Sequence, residues 1–261
     1  MNIYHISYTE RFVGERMASL SFKGCNFACK YCIRKKSEYD IYAEDRRYIE
    51  WTVENIIKEL RKLRPHRIYL GGYEPTLDPD LEDIVCELSS LDAYIVLMTN
   101  GSMLNREYAE RLIDAGVDEF IVSVKAFDDE KHVEYTGCSN NSVLDAIKML
   151  TTIDKDFRLQ VETELIPYFN EPEDIEELSR FIAAIDPSIP LFIEPLIPPS
   201  DDIAEPTKED LINAVSAAMR HVFIVSYHPL PSEISVIRRS NRRAKFVEIL
   251  PASETASENS A

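Results

Sequence analysis

Three of the chain's five cysteines stand at 25, 29 and 32, inside the stretch KGCNFACKYCIRKK (residues 23–36). Thiols so spaced can form disulfides, hold zinc or ligate an iron–sulfur cluster. An odd cysteine count, with three of the five crowded into one short loop, argues against a disulfide framework. Structural zinc takes four ligands, usually from two paired knuckles, and no second Cys-x-x-Cys occurs. Cys86 reads as a core residue among apolar helix positions. Cys138 lies in a Gly-Cys-Ser-Asn loop where nothing else supports a fourth ligand. Three thiolates suit a [4Fe–4S] cluster, which cysteines hold and which would keep one iron open to a non-protein ligand. Phe27 and Tyr31 are placed to keep water off it. On the residues alone, zinc and a loop without metal remain the alternatives.

The elements that must position these thiols are legible as an alternation. MASLSF (17–22) reads as a strand that runs into the cysteine loop. Helix-period and strand-like segments then follow in turn. TVENIIKELRKLR carries Val53, Ile56, Ile57, Leu60 and Leu63 on one face, and RIYL (67–70) is a short strand. DLEDIVCELSSL has the stripe Leu81, Ile84, Val85 and Leu88, and AYIVLM is a buried strand. The pattern repeats through EFIVSV, FRLQVETELI and LFIEPL, with helices between, and VFIVSY is a seventh candidate. Six or seven strand–helix units in series predict an α/β fold: a parallel sheet with helices outside, short of the eight units of a closed barrel.

The chain has 261 residues, enough for one large core, and its apolar fraction of 45% is ordinary for a globular protein. No apolar run approaches the roughly 20 residues that span a bilayer, so no membrane partner is expected. MNIYHISYTER lacks a signal-peptide layout, and the expected location is cytoplasmic. A formal net charge of −17 argues against broad nucleic-acid binding. The local basic clusters, Arg34 to Lys36 and Arg238 to Lys245, read as solvated faces. No internal linker is evident: residues 1–230 are expected to form the barrel and 231–261 an extension, its last ~10 residues disordered by their small, polar composition.

With an aromatic before the last cysteine (Tyr31-Cys32), the Cys-x-x-x-Cys-x-x-Cys stretch resembles the signature of radical S-adenosylmethionine (radical SAM) enzymes. Other strand ends extend the likeness over roughly residues 14–198. Gly71-Gly72-Tyr73-Glu74-Pro75 resembles the family's Gly-Gly-Glu-Pro motif, with Tyr73 in place of the second glycine or as an inserted residue. Met98-Thr99-Asn100-Gly101 resembles the Thr-Asn-Gly of the enzymes that activate pyruvate formate-lyase. Ser123-Val124-Lys125 matches their Asp-x-Lys with the acid lost, and DDEKHVEYTGCSNNSVLDAI matches their following loop and helix, including His132, Thr136, Gly137 and Asn140. Their arginine near Glu162 and their histidine after the proline at 195 are absent.

The resemblance implies an open (β/α)6-type barrel and a [4Fe–4S] cluster on Cys25, Cys29 and Cys32. It implies S-adenosyl-L-methionine at Gly71, Gly72, Tyr73, Glu74, Thr99, Asn100, Ser123, Lys125 and Glu162. It further implies reductive cleavage of that cofactor to a 5′-deoxyadenosyl radical, which takes hydrogen from a substrate, and an electron donor such as flavodoxin or ferredoxin. Gln160, Glu162 and Glu164 share one strand face, and Glu194 follows on the next strand. Carboxylates are costly on an interior face unless paired or wet, so this face is expected to line a polar cavity. Glu162, Glu164 and Glu194 are therefore the candidate catalytic residues. The substrate is either a protein, through a glycyl radical or a modified side chain, or a small amino-bearing metabolite held by these acids. An iron–sulfur electron carrier or metal-binding module is the third reading.

Overall fold

In a computed structural model of the chain, residues 2–10, 15–32, 51–200, 202–233 and 245–248 are described. The strands are β1 (Ile3–Glu10), β2 (Arg16–Phe22), β3 (Arg67–Gly72), β4 (Tyr94–Thr99), β5 (Glu119–Val124), β6 (Arg158–Leu165), β7 (Leu191–Pro195), β8 (Val225–Tyr227) and β9 (Lys245–Glu248). The helices are α1 (Val53–Leu63), α2 (Leu81–Ser89), α3 (Arg106–Ala115), α4 (Asp129–Thr136), α5 (Asn141–Leu150), α6 (Pro172–Ile185) and α7 (Lys208–Ala218).

One sheet runs β8-β7-β6-β5-β4-β3-β2-β1-β9. From β2 to β8 each strand pairs parallel with the next in sequence. Parallel crossovers are right-handed, so a strictly sequential order puts every helix on the same side of the sheet. That is the expected open, partial barrel. The antiparallel β1 beside β2 was not expected, because Ile3, Tyr4, Ile6 and Tyr8 lie in a segment rich in polar residues. β9 pairs antiparallel with β1, so the C-terminal extension contributes a strand to the sheet edge. The basic clusters at 34–36 and 238–244, and the acidic tail, lie outside the described residues.

Helix starts are set locally. The Thr52 and Asn105 side chains accept the N–H of Asn55 and Tyr108, and Thr207 with Asp210 forms a capping box. The apolar stripes of α1 and α2 are buried as their periodicity predicts, at Ile56, Ile57 and Leu60 and at Leu81, Ile84, Val85 and Leu88. Each such side chain contributes about 1.5–3 kcal/mol on burial. Cys86 is exposed rather than in the core. It follows Ile84 and Val85 but falls off the 3.6-residue stripe, beside Glu87.

Alternation along the strands then sets what faces inward. On β6, Val161, Thr163 and Leu165 are buried against the helices, which turns Glu162 and Glu164 to the interior face. Register places Ser123 opposite Glu162 and Glu164 opposite Glu194. The helix-side placement of these acids is thereby ruled out.

Candidate active site

The cysteine loop leaves β2 and is held from behind by the end of α4. Ala28 N–H donates to the Thr136 carbonyl (2.8 Å) and Lys30 N–H to the Tyr135 carbonyl (2.9 Å). Phe27 is buried with its ring edge-on to His132, at 5.4 Å between centroids, and Tyr31 meets Tyr135 in the same way at 5.7 Å. The DDEKHVEYTG segment is thus a platform under the thiols. Cys138 belongs to the platform and does not face the site; its thiol donates to the Asn26 carbonyl at 3.6 Å. Burial pushes the Cys29 thiol up to about 12 and raises that of Cys25. The three thiols line one cavity, and the other thiol nearby, Cys138, is turned to the Asn26 carbonyl. Structural zinc takes four ligands, whereas a [4Fe–4S] cluster can take three thiolates and keep one iron open. The donor set fits the cluster.

Behind the thiols, the β3 and β4 loops are locked together by one carboxylate. Glu74 is 1% exposed. It accepts from the Thr76 N–H (3.1 Å) and hydroxyl (2.5 Å), the Thr99 hydroxyl (2.7 Å) and the Asn100 N–H (2.7 Å). Burial raises its pKa and these hydrogen bonds lower it again, the balance lying above the ordinary value. Its side chain is wholly engaged inside the protein, so what it offers a ligand is main chain. Gly72 takes φ +97°, and a Cβ there would lie 2.8 Å from the Phe22 nitrogen. That position admits only glycine. Tyr73 is not among the residues in the left-handed region, and its N–H donates to the Phe22 carbonyl at 3.1 Å. A side chain at 73 therefore costs the backbone nothing, and its ring lies 6.3 Å from that of Tyr4. The Asn100 amide donates to Asn26 (2.9 Å) and approaches the Cys25 sulfur at 3.9 Å.

The opposite wall is made of side chains. The Ser123 hydroxyl donates to Glu162, one strand over, at 3.0 Å. Lys125 Nζ donates to Glu164 Oε1 at 2.9 Å, and Tyr135 OH donates to Glu164 Oε2 at 2.7 Å. Burial pulls the Lys125 pKa down, but Glu164 and Glu162 outweigh it and leave it above the ordinary value. Burial likewise raises Glu162. Glu194 Oε2 meets His228 Nδ1 at 2.6 Å, and the His228 ring stands edge-on to Phe192 at 4.8 Å. His228 arrives there from the end of β8.

These walls enclose a cavity of about 330 Å³ at the C-terminal ends of the parallel strands. Every candidate residue named from the sequence lines it, from Cys25 to Glu194. Sequence reasoning missed His228 and Tyr135. Tyr135 carried a signal, since it lies inside the matched segment.

Residues 19–182, more than half of the chain, match the model of the Radical SAM superfamily. The chain belongs to the radical SAM superfamily. Enzymes of this superfamily use a [4Fe–4S] cluster and S-adenosylmethionine. A Methanocaldococcus jannaschii protein provisionally named a glycyl-radical enzyme activating enzyme is 29% identical over 230 residues, 87% of this chain and 84% of the relative. The GTP 3′,8-cyclase of Aquifex aeolicus is 29% identical over 216 residues, 79% of this chain and 64% of the cyclase. A domain of the Bacteroides vulgatus pyruvate-formate lyase-activating enzyme superposes with a TM-score of 0.54 at 16% identity, over 62% of this chain and 98% of that domain. A radical SAM methyltransferase from Sphaerobacter thermophilus superposes at 0.60 and 15% identity, over 86% of this chain and 73% of its own. Membership makes this radical SAM protein an enzyme and sets aside the electron-carrier reading. No helix among the described residues is long and apolar enough to cross a membrane.

Proposed function

We propose that this radical SAM enzyme takes a hydrogen atom from a protein, either activating a glycyl radical enzyme or modifying a side chain. The observation that carries the reading is the likeness to the activating-enzyme relative, which extends over nearly the whole of both chains. The geometry supports it. The acids that would attract a cationic metabolite already have partners: Glu164 meets an ammonium and a phenol, and Glu194 an imidazole. In this reading Cys25, Cys29 and Cys32 would hold the cluster, with S-adenosylmethionine in the cavity they line, and together the two would supply a 5′-deoxyadenosyl radical.

The chain's own residues do the rest. The main chain of Gly71 to Glu74, fixed by the Glu74 bracket, would meet the amino group of S-adenosylmethionine. Thr99, Asn100 and Ser123 shape the wall beside it. Lys125 is already shared with Glu164, so a carboxylate ligand would share it rather than own it. Phe27 and Tyr31 keep water from the thiols. An electron donor such as flavodoxin or ferredoxin is part of the proposal.

A second reading is a small amino-bearing substrate on Glu162. It is favoured by one observation: the Glu162 carboxylate meets a neutral hydroxyl rather than an ammonium within hydrogen-bond range. The test is anaerobic incubation of reconstituted, reduced enzyme with S-adenosylmethionine and a glycyl radical enzyme encoded beside it. Expected are a carbon-centred radical on that partner by electron paramagnetic resonance and 5′-deoxyadenosine in proportion to it. Stimulation by a panel of small amines, with none by the protein, would select the second reading.

A further inference from the structure

Tyr135 and Glu164 are interior groups for which the proposed chemistry has no use. Tyr135 is 1% exposed, and its phenol donates to Glu164. Its ring is flanked by Tyr31 on the cysteine loop (5.7 Å) and by Phe169 after β6 (5.5 Å). Its carbonyl takes the Lys30 N–H, and the next carbonyl, Thr136, takes the Ala28 N–H, so the pair brackets Cys29. The other oxygen of Glu164 holds Lys125, whose side chain is 16% exposed. Lys125 and Glu164 line the same cavity as Cys29.

We propose that Tyr135 and Glu164 are positioning residues for the cluster: one contact chain, Tyr135–Glu164–Lys125, fixes both the platform under Cys29 and the ammonium beside it. Tyr135 fixes Glu164, Glu164 fixes Lys125, and the same Tyr135 carries the main-chain contacts of the loop. The consequence is electrostatic as well as mechanical. A positive charge near the cluster favours its more reduced form, and a negative charge disfavours it. The chain sets one of each on the wall of the cavity that Cys29 lines, paired to one another. This rests on the proposed holding of the cluster by Cys25, Cys29 and Cys32 and holds for either substrate.

The test uses the full chain, reconstituted anaerobically, and reads the cluster rather than turnover. Glu164→Gln keeps an acceptor for the Tyr135 phenol and removes a negative charge, so the midpoint potential rises. Lys125→Met removes the positive charge, so it falls. Tyr135→Phe changes no charge and frees the bracket. Iron loss to a chelator becomes about fivefold faster, the equivalent of one lost hydrogen bond of ~1 kcal/mol, and the resonance spectrum of the reduced cluster broadens. In the double variant Tyr135→Phe with Glu164→Gln, the two effects on iron loss are less than additive, because they break one chain. Melting temperatures of the apo proteins identify a variant that fails to fold. If Tyr135→Phe does, opposite potential shifts in Glu164→Gln and Lys125→Met still sustain the proposal. Potentials of both variants shifting in one direction, or iron loss from folded Tyr135→Phe at the parent rate, would overturn it.

Discussion

On the β2–β4 side of the cavity, what faces inward is placed by main chain: Gly72 at a positive φ, Tyr73 hydrogen-bonded to the end of β2 and Glu74 to the cysteine loop, and one buried carboxylate binding two loops. On the β5–β8 side, placement is by side chains that pair across strands: Ser123 with Glu162, Lys125 with Glu164, Glu194 with His228. The first wall resists substitution because its geometry is backbone geometry. The second tolerates exchange, so long as charge and hydrogen bonds are conserved across neighbouring strands. A wall of fixed backbone suits a cofactor common to a superfamily, and the pair on β7 and β8, farthest along the sheet from the cysteine loop, suits whatever differs among its members.

The comparison can be broken at several points. The largest effect is expected on the first wall at Cys29. The parent should carry about four irons per chain after anaerobic reconstitution, and Cys29→Ala should retain no intact cluster by iron analysis and absorbance. Zinc in place of iron in the parent would contradict the fit of the thiols. Next is Glu74→Ala, which strands donors on Thr76, Thr99 and Asn100 in a buried site; roughly 3 kcal/mol or more of stability should be lost, read from urea midpoints. A loss under about 1 kcal/mol would mean that the bracket is not what joins these loops. Gly72→Ala should cost about 2 kcal/mol, since the added Cβ meets the Phe22 backbone and the φ is unfavourable.

The smallest effect lies far from both walls. Glu176, against His221 and Arg220, has its pKa lowered to about 2 from 4.5. A depressed carboxylate stabilises the fold above its unfolded pKa and loses that contribution as pH falls through the folded one. The melting-temperature difference between parent and Glu176→Gln should therefore be present at neutral pH and shrink between about pH 4.5 and 2. A difference that does not change over that range would remove the pairing as its cause.

Most of the first wall was legible in the sequence, because its devices are local. Three thiols, a pair of glycines and a Thr-Asn-Gly turn each sit within a few residues. The inward face of β6 was legible too, because alternation with Val161, Thr163 and Leu165 forces Glu162 and Glu164 inward once those three are buried. What escaped depends on distance along the chain. His228 reaches Glu194 only through the pairing of β8 with β7. Tyr135 reaches Glu164 through the packing of α4 on the cysteine loop. β1 joins the sheet through antiparallel pairing that no crossover pattern announces. Cys86 was misplaced for a simpler reason: apolar neighbours in sequence are not neighbours on a helix face.

The central claim is that the first wall and the Lys125–Glu164 pair serve the cofactors while the Glu194–His228 pair serves the substrate, and Glu194→Gln tests it most directly. The variant is to be reconstituted and reduced, and 5′-deoxyadenosine measured with and without the protein partner. The account predicts parent-like iron content and parent-like slow formation without partner, and a loss of the stimulation that the partner brings. Equal loss with and without partner, or loss of iron, would place Glu194 on the cofactor side and contradict the division.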